Sequence, residues 1–334
     1  MTLTHPRAPR VITRRSLLRR LGTGLALAPL AHALACTDDG SSGDELGDAG
    51  TDTTGSSGTE SSGTESSGTE SSSGTDTTSD TSSTDTTTGD CGEASEWATG
   101  GTAAMTAKDC YPDPFEAGVM TCALLCSTTE GPCTADTIER QDVSEGWPGL
   151  PVRLALKFVD ADTCEPVEGA VVEIWHTQRT GVYSGETPSG AFCYGDDPDA
   201  ENYLYFRGSQ TTDASGRVDF DTCYPGWYSS RAIHIHFRVY LDGNTYLTSQ
   251  LFFTEALTEE IFGSHVDYAE FGQPDTVNSN DNVIGGEDDL SPYLLDTQRM
   301  ADGAMLAWKV VAIRSSLSDE QCEAQGAGGG GGMP

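Results

Sequence analysis

A chain of 334 residues with 18 basic and 52 acidic side chains, net −34, has room for one large domain or two ordinary ones. That charge sets nucleic acid and anionic membrane surfaces aside as partners, because both reward positive charge. Ten cysteines, in a chain that opens like an exported one, point to disulfides more than to a thiol site.

The first 35 residues carry Arg7, Arg10, Arg14, Arg15, Arg19 and Arg20 and no acid, followed by the apolar run from Leu21 to Ala35. The run is too short to span a bilayer comfortably and reads as the core of a signal peptide over 1–35. Within it, TRRSLLR (Thr13 to Arg19) resembles a twin-arginine export signal. The closing ALAC resembles a lipobox, with Ala33 where Leu is usual, and predicts a lipid anchor at Cys36. Export would remove the six arginines, leaving 12 basic against 52 acidic residues, or −40.

From Cys36 to Asp90 the chain is nearly all Ser, Thr, Gly, Asp and Glu, with SSGTE repeating from Ser56 to Glu70. Such a segment has nothing apolar to bury and reads as a disordered tether. Residues 91–150 form a cysteine-rich arm with little periodicity. Cys91, Cys110, Cys122, Cys126 and Cys133 match no zinc spacing and have no interleaved His, so stapling by disulfides is expected there. With Cys36 set aside nine cysteines remain, so one is free or pairs between chains. Residues 316–334 read as a flexible Gly-rich tail.

Beyond Pro151 the pattern alternates with period two, which predicts half-buried strands over 152–160, 169–177, 202–208, 217–222, 232–241, 246–254 and 307–313. Turn chemistry at DASG (Asp213 to Gly216) and DGN (Asp242 to Asn244) separates several of them. Only Glu255 to Gly263 reads as a helix. The expected fold is all-β, a β-sandwich of mostly antiparallel strands with few short helices, over 151–315.

In RAIHIHFRV (Arg231 to Val239), Ile233, Ile235, Phe237 and Val239 share one face of a strand, and His234, His236 and Arg238 share the other. Alternation alone leaves two readings of the histidine pair: a solvent-facing polar surface or half of a metal site.

PGWYSSRAIHIHF (Pro225 to Phe237) and VEIWHTQRTGVYSG (Val172 to Gly185) together resemble the intradiol ring-cleavage dioxygenases, the family of protocatechuate and catechol dioxygenases. The resemblance runs from about Pro151 to Ile313. It implies a non-haem Fe(III) centre with Tyr183, Tyr228, His234 and His236 as ligands, and no organic cofactor. It further implies that Tyr228 is the ligand that leaves and takes up a substrate proton while Tyr183 stays. Arg231 would stabilise the ketonised substrate, and Gln250, in SQLFF, would assist. The residue types suit the metal: Fe(III) is hard and favours anionic oxygen, with imidazole a common partner. The implied reaction inserts both atoms of O2 between the hydroxylated carbons of a catechol or polyphenol, giving a muconic acid-type product.

Two departures point to an exported branch of the family. Only Ser229 and Ser230 separate Tyr228 from Arg231, where the cytoplasmic enzymes carry a longer insert, and Ala232 stands where they have Pro. The N-terminal helical dimerisation region of the catechol branch is not evident, which leaves the oligomeric state open. His176 reads as structural or as a neighbour of the ligands, His265 as a surface residue, and Cys164, Cys193 and Cys223 as disulfide or core cysteines. The competing readings are a cupin-type HxH metalloenzyme with a carboxylate ligand and a non-catalytic, tethered β-sandwich binding module.

Overall fold

The computed structural model describes residues 96–116 and 122–327. The expected export signal, the expected lipid anchor at Cys36, the expected tether and the end of the Gly-rich tail lie outside those residues. The chain divides into two units, Met1–Ser79 and Asp80–Pro334, and all described residues belong to the second.

Among the described residues, eight strands form two four-stranded sheets. The first has the order β4 (Arg217–Cys223), β1 (Pro151–Asp160), β8 (Met305–Ile313), β7 (Asp296–Arg299); the second has β3 (Arg207–Thr211), β2 (Val171–Trp175), β5 (His234–Leu241), β6 (Asn244–Phe252). Every pairing is antiparallel except β1 with β8. Helices are few and short: α1 (Gly190–Cys193), α2 (Glu255–Ser264) and scattered 3-10 turns. This is the expected sandwich.

The period-two pattern explains how the sheets meet. Val152, Leu154, Leu156 and Phe158 of β1 are fully buried and pack in one core with Val172 and Ile174 of β2 and with Ile233, Ile235, Phe237 and Val239 at β5. Phe158 and Phe237 meet across the sandwich with ring centroids 6.2 Å apart. The arm before β1 has only turns and isolated bridges. It covers the outer face of the first sheet with Tyr111 and Phe115 against Ala155, Met300 and Leu306. Lys108 and Arg153 both reach the buried carboxylate of Asp221, at 2.7 and 2.6 Å.

Three disulfides join described cysteines: Cys122 with Cys164, Cys126 with Cys322 and Cys133 with Cys193. Cys110 is also disulfide-bonded, whereas Cys223 is a free, buried core thiol.

Two expectations are corrected, and one strand was not expected. The segment 202–208 is largely turn, and its strand begins only at Arg207, because Pro198–Asn202 closes a 3-10 turn held by the Asp197 carboxylate on Asp199 N–H. Strand β7 lacks an apolar alternation, since its residues Asp296–Arg299 are half-buried or exposed. His265 is buried: it terminates α2, and its Nε2 lies 2.9 Å from Ala98 O.

Truncating Phe237 to Ala should destabilise the domain by about 3–5 kcal/mol, the usual cost of a large aromatic cavity in a closed core. Denaturant unfolding would check this; a loss below about 1 kcal/mol would mean that the two sheets do not share this core.

Candidate metal centre

The site is built on the outer face of the second sheet, where cross-strand register aligns side chains. Trp175 lies opposite His236, and His236 opposite Gln250, so β2, β5 and β6 contribute one row. His234 lies one pleat along, opposite Phe252. The face that carries the histidines is therefore covered: both are buried, at 3% and 2% exposure.

Two loops bring the phenols over this row. Tyr183 follows β2 and sits two residues after Gly181, whose φ is +81°. A Cβ on Gly181 would collide with the carbonyl oxygen of Trp227, the residue before Tyr228. On the opposite loop, a Cβ on Gly226 would collide with the Arg179 carbonyl. The glycines in TGVY and PGWY thus let the two tyrosine loops pack main chain against main chain. The Tyr183 ring is buried and the Tyr228 ring half-buried.

Four donor atoms converge. Tyr183 Oη lies 3.2 Å from His234 Nε2 and 3.4 Å from Tyr228 Oη. His234 Nε2 lies 3.3 Å from Tyr228 Oη and 3.1 Å from His236 Nε2. Such spacings suit atoms sharing one ion, since nitrogen and oxygen bonds to first-row metals run at about 2 Å. His234 Nδ1 donates to Ala232 O at 2.7 Å, which leaves the Nε2 lone pair pointing into the cluster. The His236 ring stacks on Trp175 at 4.9 Å with 9° between planes.

The electrostatics agree. Burial pushes both histidines well below their ordinary pKa, with Arg231 adding to the effect at His234, and His234 then Arg231 adding at His236; they stand neutral, the form a metal would need. Burial, and then the neighbouring Tyr228, pushes the Tyr183 phenol well above its ordinary value. Burial also raises Tyr228, against the lowering effect of Arg231. Two phenolates would form here only beside a strongly charged cation. The donor set therefore fits a hard trivalent metal.

Among the described residues, no three His, Cys, Asp or Glu side chains converge as a metal site. The cluster exists only once phenols are counted, and no carboxylate joins the HxH pair. This is unfavourable to a cupin-type centre.

Arg231 is buried beside the cluster, its Nη1 3.4 Å from both Tyr228 Oη and His234 Nε2. Its Nη2 donates to Gln250 Oε1, and Gln250 Nε2 donates to Thr129 O at 2.8 Å. Its Nε donates to Asp281 Oδ2 at 2.9 Å. Burial opposes the Arg231 charge, but the Tyr228 phenol and Asp281 outweigh it and hold its pKa above the ordinary value. Asp281, fully buried, also accepts from Ala232 N–H at 2.8 Å and Val283 N–H at 2.9 Å. Sequence reasoning missed Asp281, Thr129 and the Trp175 stack. His176 lies in neither group: it is buried, stacked on Phe206 and held by Thr177 O and Thr222 Oγ1.

Beside Tyr228 opens a groove of about 800 Å³ whose lining includes Trp147, Arg179, Val182, Phe192, Trp227 and Phe271. Phe192 is exposed and meets the Tyr228 ring edge-on at 5.9 Å.

Residues 127–284 match a family model described as "Dioxygenase". Catechol 1,2-dioxygenase 1 of Acinetobacter lwoffii is 32% identical over 104 residues, 26% of this chain and 30% of the relative. Catechol 1,2-dioxygenase of Acinetobacter baylyi is 29% identical over 169 residues, 43% of this chain and 50% of the relative. The chain thus spans half or less of the length of these curated relatives. Among solved structures, an intradiol ring-cleavage dioxygenase from Tetranychus urticae aligns at 26% identity and a TM-score of 0.49, over 58% of this chain and 95% of that one.

Replacing Asp281 by Ala should cost about 3–5 kcal/mol, because it strands a buried guanidinium. Thermal or denaturant unfolding measures this; a neutral Asp281→Ala would mean that Arg231 is not held by the pair.

Proposed function

We propose that the chain is an intradiol ring-cleavage dioxygenase, a non-haem Fe(III) enzyme cleaving catechols between their hydroxylated carbons, a reading supported by the family model over residues 127–284 and by the catechol 1,2-dioxygenase relatives. The observation that carries this reading is the convergence of two phenols and two neutral imidazoles within 3.1–3.4 Å, with a buried arginine beside them. Ferric iron held by Tyr183, Tyr228, His234 and His236 would withdraw charge from a bound catecholate and open the ring to dioxygen.

The protein's own residues then have separate tasks. The half-buried Tyr228 is the phenol with room to move, and its oxygen would take up the proton of a catechol hydroxyl. Tyr183, fully enclosed, stays in place. Arg231, fixed by Asp281 and Gln250, presents its charge where the substrate oxygen becomes carbonyl-like and the ring gains electron density. The aromatic side chains of the groove offer faces on which another ring could pack. One carbon–carbon bond breaks, and both oxygen atoms of O2 remain in the dicarboxylic acid product.

We place this reaction outside the cytoplasm. The sequence signal and the three disulfides support an oxidising compartment, and Cys36 is the lipid attachment point in this reading. A tethered binding module would share the fold but has no need of a buried phenol and imidazole cluster.

The iron-loaded protein should be red-brown through tyrosinate-to-iron charge transfer, and Tyr183→Phe should bleach or shift that band; a colourless protein with stoichiometric ferric iron would overturn the centre. Oxygen uptake with a panel of catechols tests the activity, with no uptake by iron-loaded protein favouring the binding module. Tyr228→Phe should keep iron but slow substrate binding by at least about tenfold, since it lacks the proton acceptor. Stopped-flow mixing with catechol under nitrogen reads that step, and wild-type kinetics would remove Tyr228 from the role.

A further inference from the structure

Arg207 opens β3 directly opposite Trp175, so it continues the cross-sheet row that runs through Trp175 and His236 to Gln250. It is 1% exposed. Its Nε donates to Ser184 O at 2.8 Å and its Nη2 to Cys133 O at 2.6 Å, while Nη1 is buried with no hydrogen-bond partner. Among the described residues no carboxylate forms an ion pair with it. Burial lowers its pKa to about 10, against the raising effect of the Tyr183, Tyr205 and Tyr194 phenols, so it remains a cation at neutral pH. An enclosed guanidinium without a counter-charge is costly, and a fold keeps one only where something compensates.

Its two acceptors show what it holds. Ser184 is the residue after Tyr183. Cys133 is disulfide-bonded to Cys193, and the Cys193 carbonyl accepts the Tyr183 N–H at 2.9 Å. Gly185, with φ +83°, leaves the space: a Cβ there would lie 3.0 Å from Arg207 Nε. Arg207 therefore grips the Tyr183 loop from two sides and stands within electrostatic reach of both Tyr183 and His236.

Resting on the ferric reading above, we propose that Arg207 is a positioning residue of the metal centre, which clamps the main chain at Tyr183 and supplies the uncompensated positive charge behind that ligand. The two tyrosines thereby differ in kind. Tyr228 faces Arg231, whose charge is shared with Asp281, on a loop whose next residues, Ser229 and Ser230, are exposed; Tyr183 feels Arg231 too, and Arg207 adds to it a cation with no carboxylate of its own.

The test compares Arg207→Met and Arg207→Lys with the wild type. In metal-free protein, hydrogen exchange of the peptide spanning Tyr183 to Cys193 should quicken about tenfold in both variants, the worth of a lost buried hydrogen bond, with β1 and β8 unchanged. In the ferric form, Arg207→Met should move the tyrosinate charge-transfer band to longer wavelength, because loss of a nearby cation raises the donor level. Arg207→Lys, which keeps the charge and loses the fork, should restore the band. Wild-type exchange in both variants would overturn the clamp, and an unmoved band in Arg207→Met, or an equal shift in both, would overturn the charge role. If Arg207→Met does not fold, Arg207→Lys decides the clamp by exchange alone. A colourless ferric wild type would sink the ferric reading instead, with the metal-free exchange still deciding Arg207.

Discussion

Everything in this site depends on a close approach of two main chains. The turn through Gly181 and the turn through Gly226 pack so tightly that a Cβ on either glycine would strike a carbonyl of the other loop. That contact brings a phenol after β2 to within 3.4 Å of a phenol forty-five residues later. The sheet beneath supplies the imidazoles at fixed spacing, since residues two apart on a strand share a face. The geometry of the cluster thus follows from the backbone, and the side chains need only ordinary conformations to converge.

The same arrangement sets the electrostatic demand. Two phenols and two imidazoles in a closed space, with two arginines near them, cannot take up charge by themselves: burial raises the phenols and depresses the histidines. A protein gains nothing in stability from such a cluster, and an apolar core there would serve the fold better. A cation with high charge resolves the demand, because phenolate formation then compensates the metal instead of facing a low dielectric alone. The cluster makes chemical sense as a holder for a hard cation and little sense as packing.

What the sequence revealed follows from how local each feature is. Alternation in 152–160 and 232–241 located β1 and β5, and it separated the core face from the histidine face without further help. The four converging side chains were legible because each sits beside punctuation with a backbone reason: Gly181 before Tyr183, Pro225 and Gly226 before Tyr228, a strand around His234 and His236. Asp281 left no such trace. It lies in the aperiodic stretch NSNDNV, and only the path of the chain after α2 carries it back to Arg231. Arg207 was hidden for another reason, since a lone Arg at the head of a short strand reads as a surface residue until the arm bearing Cys133 is seen to cover it. Strand β7 and the burial of His265 are also tertiary outcomes, set by neighbours that local pattern does not encode.

The arm before β1 therefore contributes to the site as well as to stability. Thr129 O fixes Gln250, which fixes Arg231 Nη2; a Cβ at Gly131, with φ +73°, would lie 3.4 Å from His236 Cε1; and Cys133 ties the arm to the loop that carries Tyr183. Three contacts within five residues thus reach three different parts of the centre. A sandwich alone provides the sheet face, yet it leaves that face open to water, where imidazoles would titrate and a phenolate would be hydrated. Closing it with a disulfide-held arm is what turns a row of polar side chains on a sheet into an enclosed cluster of donor atoms.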